Sequence, residues 1–362
     1  DLIIVSRNVG DFIAVIDALT GTEKTYLDTS LVSGGTFDIN MVGVADDGAV
    51  YVGNLTTSAS SSPFILYRWA DDSGSSPVTV AFSGDPGATS YPGLRWGDNM
   101  AVRGSGPNTQ VILAPVFTTN TIVSLLQTTD GINFTATPIL LTNVPAGFAQ
   151  VGLAFGPGTN TFYGKKSGGA LYLVQFDLAS QTGFAKEVYS SSAVPLSVTA
   201  IGTSPTLHLL AGLDASVVPN RVPLYNIADP TRDPAIEDQK GINVVSDNST
   251  LGGVGAVTVG QNYLFVLDSN NGIAAYQIDT NYAALTPFRI TQFTDAPGSL
   301  PVLSWTAEAG HMYQAQCKNS LEDPAWSLVG VPTLAGGSSL SVTNILLPGV
   351  GTSNRVYRVL GF

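Results

Sequence analysis

His311 and Cys317 stand six residues apart in the stretch SWTAEAGHMYQAQCKNSLEDPAWSLVG, residues 304–330. They are one of the chain's two histidines and its only cysteine, so they are the first pair to test for metal ligation or for a nucleophile and its base. Alternating apolar residues make HMYQAQCKN a strand. His311, Tyr313, Ala315 and Cys317 then share one side, and Met312, Gln314, Gln316 and Lys318 the other. Six steps along a strand cover about 20 Å, too far to share an ion or pass a proton. Cys317 is therefore expected as a small buried hydrophobe and His311 at a strand start beside a turn. Trp305 and Trp326 are expected as core anchors.

The second histidine, His208, lies in TLHLLAG between Leu207 and Leu209. It is expected on the second strand of a hairpin, facing away from those leucines. Two histidines cannot build a histidine-rich metal site, and no G-x-S-x-G elbow is present. No catalytic residues and no cofactor are expected. Calcium is the one ion the composition admits, because it takes only oxygen ligands. VADDG (44–48), WADDSG (69–74), SDNST (246–250) and LDSNNG (267–272) supply close carboxylates and amides, with Asp46, Asp47 and Asp268 the first candidates. None has EF-hand spacing, and Asp-Gly and Asn-Gly are also what tight turns require.

The bulk composition narrows the classes. Of 362 residues only 12% are charged, about half the usual share, and the net charge is −12. Residues 1–287 hold 11 basic and 23 acidic side chains, and residues 288–362 balance to zero. Lys165-Lys166 is the only adjacent basic pair. Such a body does not suit nucleic acid or an anionic membrane surface. No apolar run reaches the ~18–20 residues of a membrane span. One cysteine excludes an internal disulfide framework. The opening DLIIVS reads as a strand, and a processed N-terminus after signal-peptide removal is expected, hence a secreted or cell-surface protein. Asn54, Asn133 and Asn248 fit the glycosylation triplet at a frequency that chance explains.

One rhythm organises residues 1–287. MVGVADDGAVYVGN (from 41), MAVRGSGPNTQVILAP (100), VGLAFGPGTNTFYGK (151), VTAIGTSPTLHLLAG (198) and VGAVTVGQNYLFVLD (254) each read strand, tight turn, strand. A third alternating strand follows each, as in FILYRWA at 64 or ALYLVQFD at 170, and often a more polar fourth. The repeat runs 47 to 58 residues, the length of a four-stranded β-propeller blade. The segment resembles secreted bacterial β-propellers with lactonase-like or YVTN-type repeats, a resemblance carried by this rhythm and by IAVIDALTGTEKTYL (13–27). Counting the strand groups gives six blades, with five or seven as alternatives. LIIVSRNVGDFIAVID (2–17) aligns with YLFVLDSNNGIAAYQID (263–279), so the chain enters midway through a blade, and PFRITQF (287–293) is expected to complete it. The loop 214–247 and the aromatics Tyr91, Trp96, Phe117 and Tyr163 are candidate recognition elements or blade filling.

Residues 288–362 read as five or more short strands of a small β-sandwich. Ser304-Trp305, Gly310, Tyr313 to Ser320-Leu321, Pro324-Ala-Trp326 and Tyr357-Arg358-Val359 resemble the fibronectin-III-like modules appended to secreted bacterial proteins. In that family the module is an accessory.

The expected fold is thus all-β, a propeller over 1–287 and a sandwich over 288–362. The expected function is a non-enzymatic extracellular subunit of a self-assembling surface layer, sheath or filament. Leu2, Ile3, Ile4, Val5, Trp305 and Trp326 are its candidate contact residues. The alternatives are a glycan- or protein-binding propeller and a lactonase- or lyase-like metal enzyme.

Overall fold

A computed structural model describes residues 1–6, 10–116, 118–216, 219–242, 255–260, 262–269, 271–279, 289–294, 301–318, 320, 326–343 and 356–361. The chain is all-β. The only helical segment among the described residues is a three-residue 3-10 turn, Gly106–Asn108. It divides into two compact units, Asp1–Ile278 and Asp279–Phe362. The boundary expected at 287/288 lies outside the described residues.

The first unit is a succession of antiparallel meanders. β1 (Leu2–Ser6), β2 (Phe12–Ile16) and β3 (Glu23–Tyr26) form one sheet. β4 (Phe37–Val44), β5 (Val50–Leu55), β6 (Phe64–Trp69) and β7 (Thr79–Gly84) form the next. Two further meanders are β8 (Ala101–Arg103), β9 (Gln110–Leu113), β10 (Ile122–Thr128) and β11 (Phe134–Thr142), then β12 (Gly152–Phe155), β13 (Thr161–Lys165), β14 (Leu171–Asp177) and β15 (Thr182–Tyr189). They are joined where β11 runs parallel to β15, with Leu140 opposite Thr182. The result is one eight-stranded sheet whose end strands, β8 and β12, lie beside each other, so it is nearly closed. β16 (Val198–Ser204), β17 (Leu209–Asp214), β18 (Asn220–Asn226) and β19 (Ala235–Ile242) follow, and then β20 (Gly255–Gly260), β21 (Tyr263–Asp268) and β22 (Gly272–Gln277).

Each meander packs on the next in sequence. Ile13 and Val15 meet Val50, Val52 and Trp69. Tyr51 and Phe64 meet Trp96, Leu113 and Phe134. Ile112 and Leu125 meet Phe148 and Phe162, Tyr163 meets Leu210 and Tyr225, and Leu213 meets Val266. A middle strand is therefore covered on both faces. This is why VYVGNL of β5 is buried throughout, its one polar residue Asn54 included. Burying each large side chain contributes roughly 1.5–3 kcal/mol. The first strands of successive meanders lie side by side, β4 by β8, β8 by β12, β12 by β16 and β16 by β20. Glycine permits that approach. A Cβ on Gly152 would stand 2.6 Å from the Thr199 carbonyl oxygen, and one on Gly202 2.5 Å from that of Val257.

The described part of the stretch 214–247, expected to hold an irregular recognition loop, is mostly strand. Its Ala235–Ile242 segment pairs with β18 as a fourth strand, Leu224 opposite Asp238. That strand is exposed up to Ile242, and Glu237, Asp238 and Lys240 blunt its edge.

In the second unit β23 (Ile290–Thr294), β24 (Val302–Thr306), β25 (Met312–Lys318), β26 (Ser327–Leu334), β27 (Ser339–Thr343) and β28 (Val356–Gly361) make two three-stranded sheets, in the orders β23-β24-β27 and β26-β25-β28. Leu303 and Trp305 from the first sheet share a core with Tyr313, Ala315, Cys317 and Val329 from the second.

The described residues of PFRITQF, from Arg289 on, do not complete the sheet of β1. Ile290 pairs with Trp305 and Phe293 with Leu303, and Arg289 exchanges hydrogen bonds with Thr306 at 2.9 and 3.0 Å. The Phe293 ring packs on Tyr357 at 5.1 Å. A partner a few residues away closes a far shorter loop than one near residue 2, so the local pairing wins on entropy.

Candidate functional site

The sequence-predicted candidates do not converge. His311 and Cys317 are both buried, at the two ends of one face of β25, with Tyr313 and Ala315 between them as expected. The His311 carbonyl accepts from the Ala335 backbone N–H at 2.8 Å, which holds the chain beyond β26 against the start of β25. Trp305 is a core residue. Trp326 is half-buried, with the Arg358 guanidinium 4.3 Å and the Lys318 ammonium 5.1 Å from its ring centre. Gln314, expected on the solvent side, is buried. A bulge between Tyr313 and Ala315 turns its amide onto the carbonyls of Ala315 (2.7 Å) and Val329 (3.2 Å).

His208 is not on a strand. It ends the turn before β17, exposed, with φ +54°. Histidine tolerates this left-handed region better than leucine does, and Leu209 beside it takes the first strand position. Trp96 and Tyr163 fill the seams between sheets rather than facing solvent, Tyr91 packs beside Trp96, and Phe117 lies outside the described residues. Asn54 is fully buried, with its amide bonded to Pro63 and Ile65 at 3.2 and 2.9 Å, so it presents no glycan attachment point. Asn248 lies outside the described residues. In β1, Ile3 and Val5 pack into the seam with Ile13 and Tyr67, and Leu2 and Ile4 are half-buried.

The three calcium candidates hold neighbouring segments together. In the β4–β5 turn, an Asp46 carboxylate oxygen accepts from Gly104 N–H at 3.1 Å and one from Asp47 accepts from Gly106 N–H at 2.7 Å, both in the next meander. Asp268 is fully buried at the end of β21, where it accepts from the Asn220 amide at 2.6 Å and the Asn271 amide at 3.0 Å. Among the described residues no three of His, Cys, Asp and Glu come together as an ion site.

These contacts belong to a wider set of polar cross-links between consecutive meanders, most of which the sequence reading missed. At one end, Asn40 donates to the Gly97 carbonyl at 2.6 Å, and Asn99 to the Ala149 carbonyl at 2.7 Å. At the same end Lys165 donates to the carbonyls of Gly169 (2.5 Å), Leu196 (3.2 Å) and Lys166 (3.5 Å). At the other end Arg103 donates to the carbonyls of Gly158 (3.1 Å) and Thr159 and lies 4.1 Å over the Phe155 ring. Thr203 donates to the Phe155 carbonyl at 2.8 Å.

Lys165 is the most chemically unusual group. It is fully buried, and desolvation pulls its ammonium down to about 8, partly opposed by the Asp214 carboxylate. A lysine poised near neutrality is a familiar nucleophile. Here all three donors are taken by backbone carbonyls, so the group acts as a cross-link. Burial also draws Arg103 down to about 10 against the pull of Asp46, and pushes the Tyr163 phenol up to about 12. Aligning VYVGN, TFYGK, LLAGLD and YLFVLD exposes the pattern, since Asn54, Lys165, Asp214 and Asp268 all fall at or beside the end of a second strand.

A second repeated device lies at or just past the ends of β2, β6, β10, β14 and β18. Asp17, Asp71, Asp130, Asp177 and Asp229 each accept backbone N–H groups two or three residues on, and each is joined by a Ser, Thr or Asn side chain of the same turn. These bonds hold all five carboxyls below the usual carboxylate range. Five of the chain's 27 acidic side chains are therefore engaged in turn chemistry.

Residues 2–197 match the family described as Domain of unknown function (DUF4623), and the chain belongs to that family. The match ends one residue before β16. No curated protein matches the sequence. Among solved structures, the chain is similar to one titled Structure of U3-55K, at 8% identity and TM-score 0.46 over 76% of this chain and 91% of that one. A nidogen/laminin complex gives 11% and 0.42 over 76% and 88%, and a protein from Lactobacillus plantarum 11% and 0.39 over 94% and 98%.

Proposed function

We propose that this chain is a non-enzymatic structural subunit of an extracellular assembly such as a surface layer, sheath or filament. On this reading the first unit is a six-bladed β-propeller and the second a fibronectin-III-like β-sandwich. Successive four-stranded meanders packed face to face, with first strands adjacent, support the propeller. The sheet orders β23-β24-β27 and β26-β25-β28 around one core support the sandwich.

One observation carries the functional part. Lys165 gives its protons to three backbone carbonyls, Asp268 accepts from two side-chain amides, and Asp46 and Asp47 accept backbone N–H groups of the next meander. This wiring stiffens a scaffold and leaves those groups no free valence for substrate. Electron microscopy and light scattering of the purified chain test the reading. Regular polymers or sheets are expected. A protein that stays monomeric at millimolar concentration, or that turns over a substrate, overturns it.

A second reading, a module for an acidic glycan, draws on Trp326 with Lys318 and Arg358 about its ring. A glycan array on wild type and Trp326→Ala discriminates it. Saturable binding lost in the variant favours this reading.

A further inference from the structure

The large apolar side chains left in water are not evenly spread. Three of the most exposed, Leu328 (66%), Val331 (77%) and Leu334 (60%), fall within seven residues on β26, whereas Leu19 (75%), Val188 (56%), Ile236 (56%) and Leu31 (55%) are scattered through the first unit. Only Val329 of this strand points into the core. β26 ends its sheet and bonds to β25 alone among the described strands. Leu334 sits opposite Met312, and Leu328 opposite Gln316. Leu360 on β28, opposite Gln314, is the other large exposed apolar side chain described on this sheet.

The charge pattern selects what such a surface meets. From Pro324 to Asn354 the sequence holds no Asp, Glu, Lys or Arg. Residues 279–362 carry four basic and five acidic side chains, so eleven of the twelve excess negative charges lie in residues 1–278. Two copies approaching through their first units repel each other. Two identical patches carry the same net charge, so a contact between them is opposed unless that net charge is close to zero. The bordering cations, Lys318 and Arg358, are folded onto the Trp326 ring at one end of the strand. A basic partner would be drawn to the acidic first unit, not to this neutral strand.

We infer that β26, through Leu328, Val331 and Leu334, is the surface by which this chain meets a second copy of itself. The contact is made by side chains and not by strand addition. Gly330 at φ +71° and Pro332, which has no N–H, interrupt the edge. This inference rests on the assembly reading above and gives it a location.

The test is sedimentation velocity of the full chain over a range of concentration and salt. Wild type is expected to associate, and more strongly as salt screens the first units. The variant Leu328→Asp/Val331→Asp/Leu334→Asp is expected to weaken association at least 100-fold. Leu328→Ser/Val331→Thr should weaken it about tenfold with an unchanged thermal transition, which separates lost contact from lost fold. A control, Val80→Asp/Val188→Asp on outer strands of the first unit, should associate as wild type. If wild type associates and the β26 variants associate equally, the location is wrong and the assembly reading stands. If wild type is monomeric throughout, both fail.

Discussion

The Lys165 ammonium, on the last residue of β13, donates to the carbonyl of Leu196 at 3.2 Å, in the segment that leads into β16. The two residues lie 31 apart in sequence and fasten one meander to the next. The same amine closes the β13–β14 turn through Gly169. A charge buried for this purpose is stable only while its donors are satisfied.

Lys165→Met keeps the volume of the stem and removes its bonds to the carbonyls of Gly169, Leu196 and Lys166, the last two of which keep backbone N–H partners. A loss on the order of 2–4 kcal/mol is expected in denaturant unfolding. The pH dependence has a defined sign. The folded value, about 8, lies below the reference 10.5, so between those values the unfolded chain binds more protons and stability rises with pH. Tyr163 acts oppositely once pH exceeds 10, because its folded value is raised to about 12. The expected signature is therefore a rise from pH 8 to 10, present in wild type and reduced in Lys165→Met. A flat wild-type profile would remove this account of the amine.

Arg103 joins the third meander to the fourth through a planar fork over Phe155. Arg103→Ala should lower stability by roughly 2–3 kcal/mol, and Arg103→Lys should recover less than half, since an ammonium cannot repeat the fork or the stacking. Thermal unfolding of the pair reads this directly. Equal stability of the Lys variant and wild type would show that charge alone matters.

Asp47→Ala removes the acceptor for Gly106 N–H and should cost about 1 kcal/mol. The cost should be the same with calcium or with a chelator present. A calcium-dependent difference would mean that Asp46 and Asp47 also hold an ion.

Gly202→Ala places a methyl 2.5 Å from the Val257 carbonyl oxygen, where backbone meets backbone. A loss of roughly 2–4 kcal/mol is expected, because neither strand can withdraw without opening the seam. His208→Gly relaxes a left-handed residue in an exposed turn and should change stability by less than about 1 kcal/mol. Circular-dichroism melts of both variants settle the contrast, and the opposite ranking would contradict this packing of β16 on β20.

Much of the architecture is legible in the order of residues. Apolar alternation with Asp-Gly, Gly-Pro and Pro-Thr turns places β4 with β5, β12 with β13 and β16 with β17 where the hairpins were expected. It also gives the buried face of β25, since a period of two leaves no other side for Tyr313, Ala315 and Cys317. These features depend on neighbours a few residues apart, and local sterics and solvent decide them.

The tertiary structure alone decided the rest. Whether Ile290 pairs with Trp305 or with β1, whether Asn54 is a glycan acceptor or a buried brace, and where Lys165 puts its protons all depend on groups distant in sequence. A polar residue at a strand end looks the same in the sequence whether water or a neighbouring carbonyl receives it. Only burial makes the difference, because a desolvated donor must find an acceptor inside the protein, and packing determines which one is there.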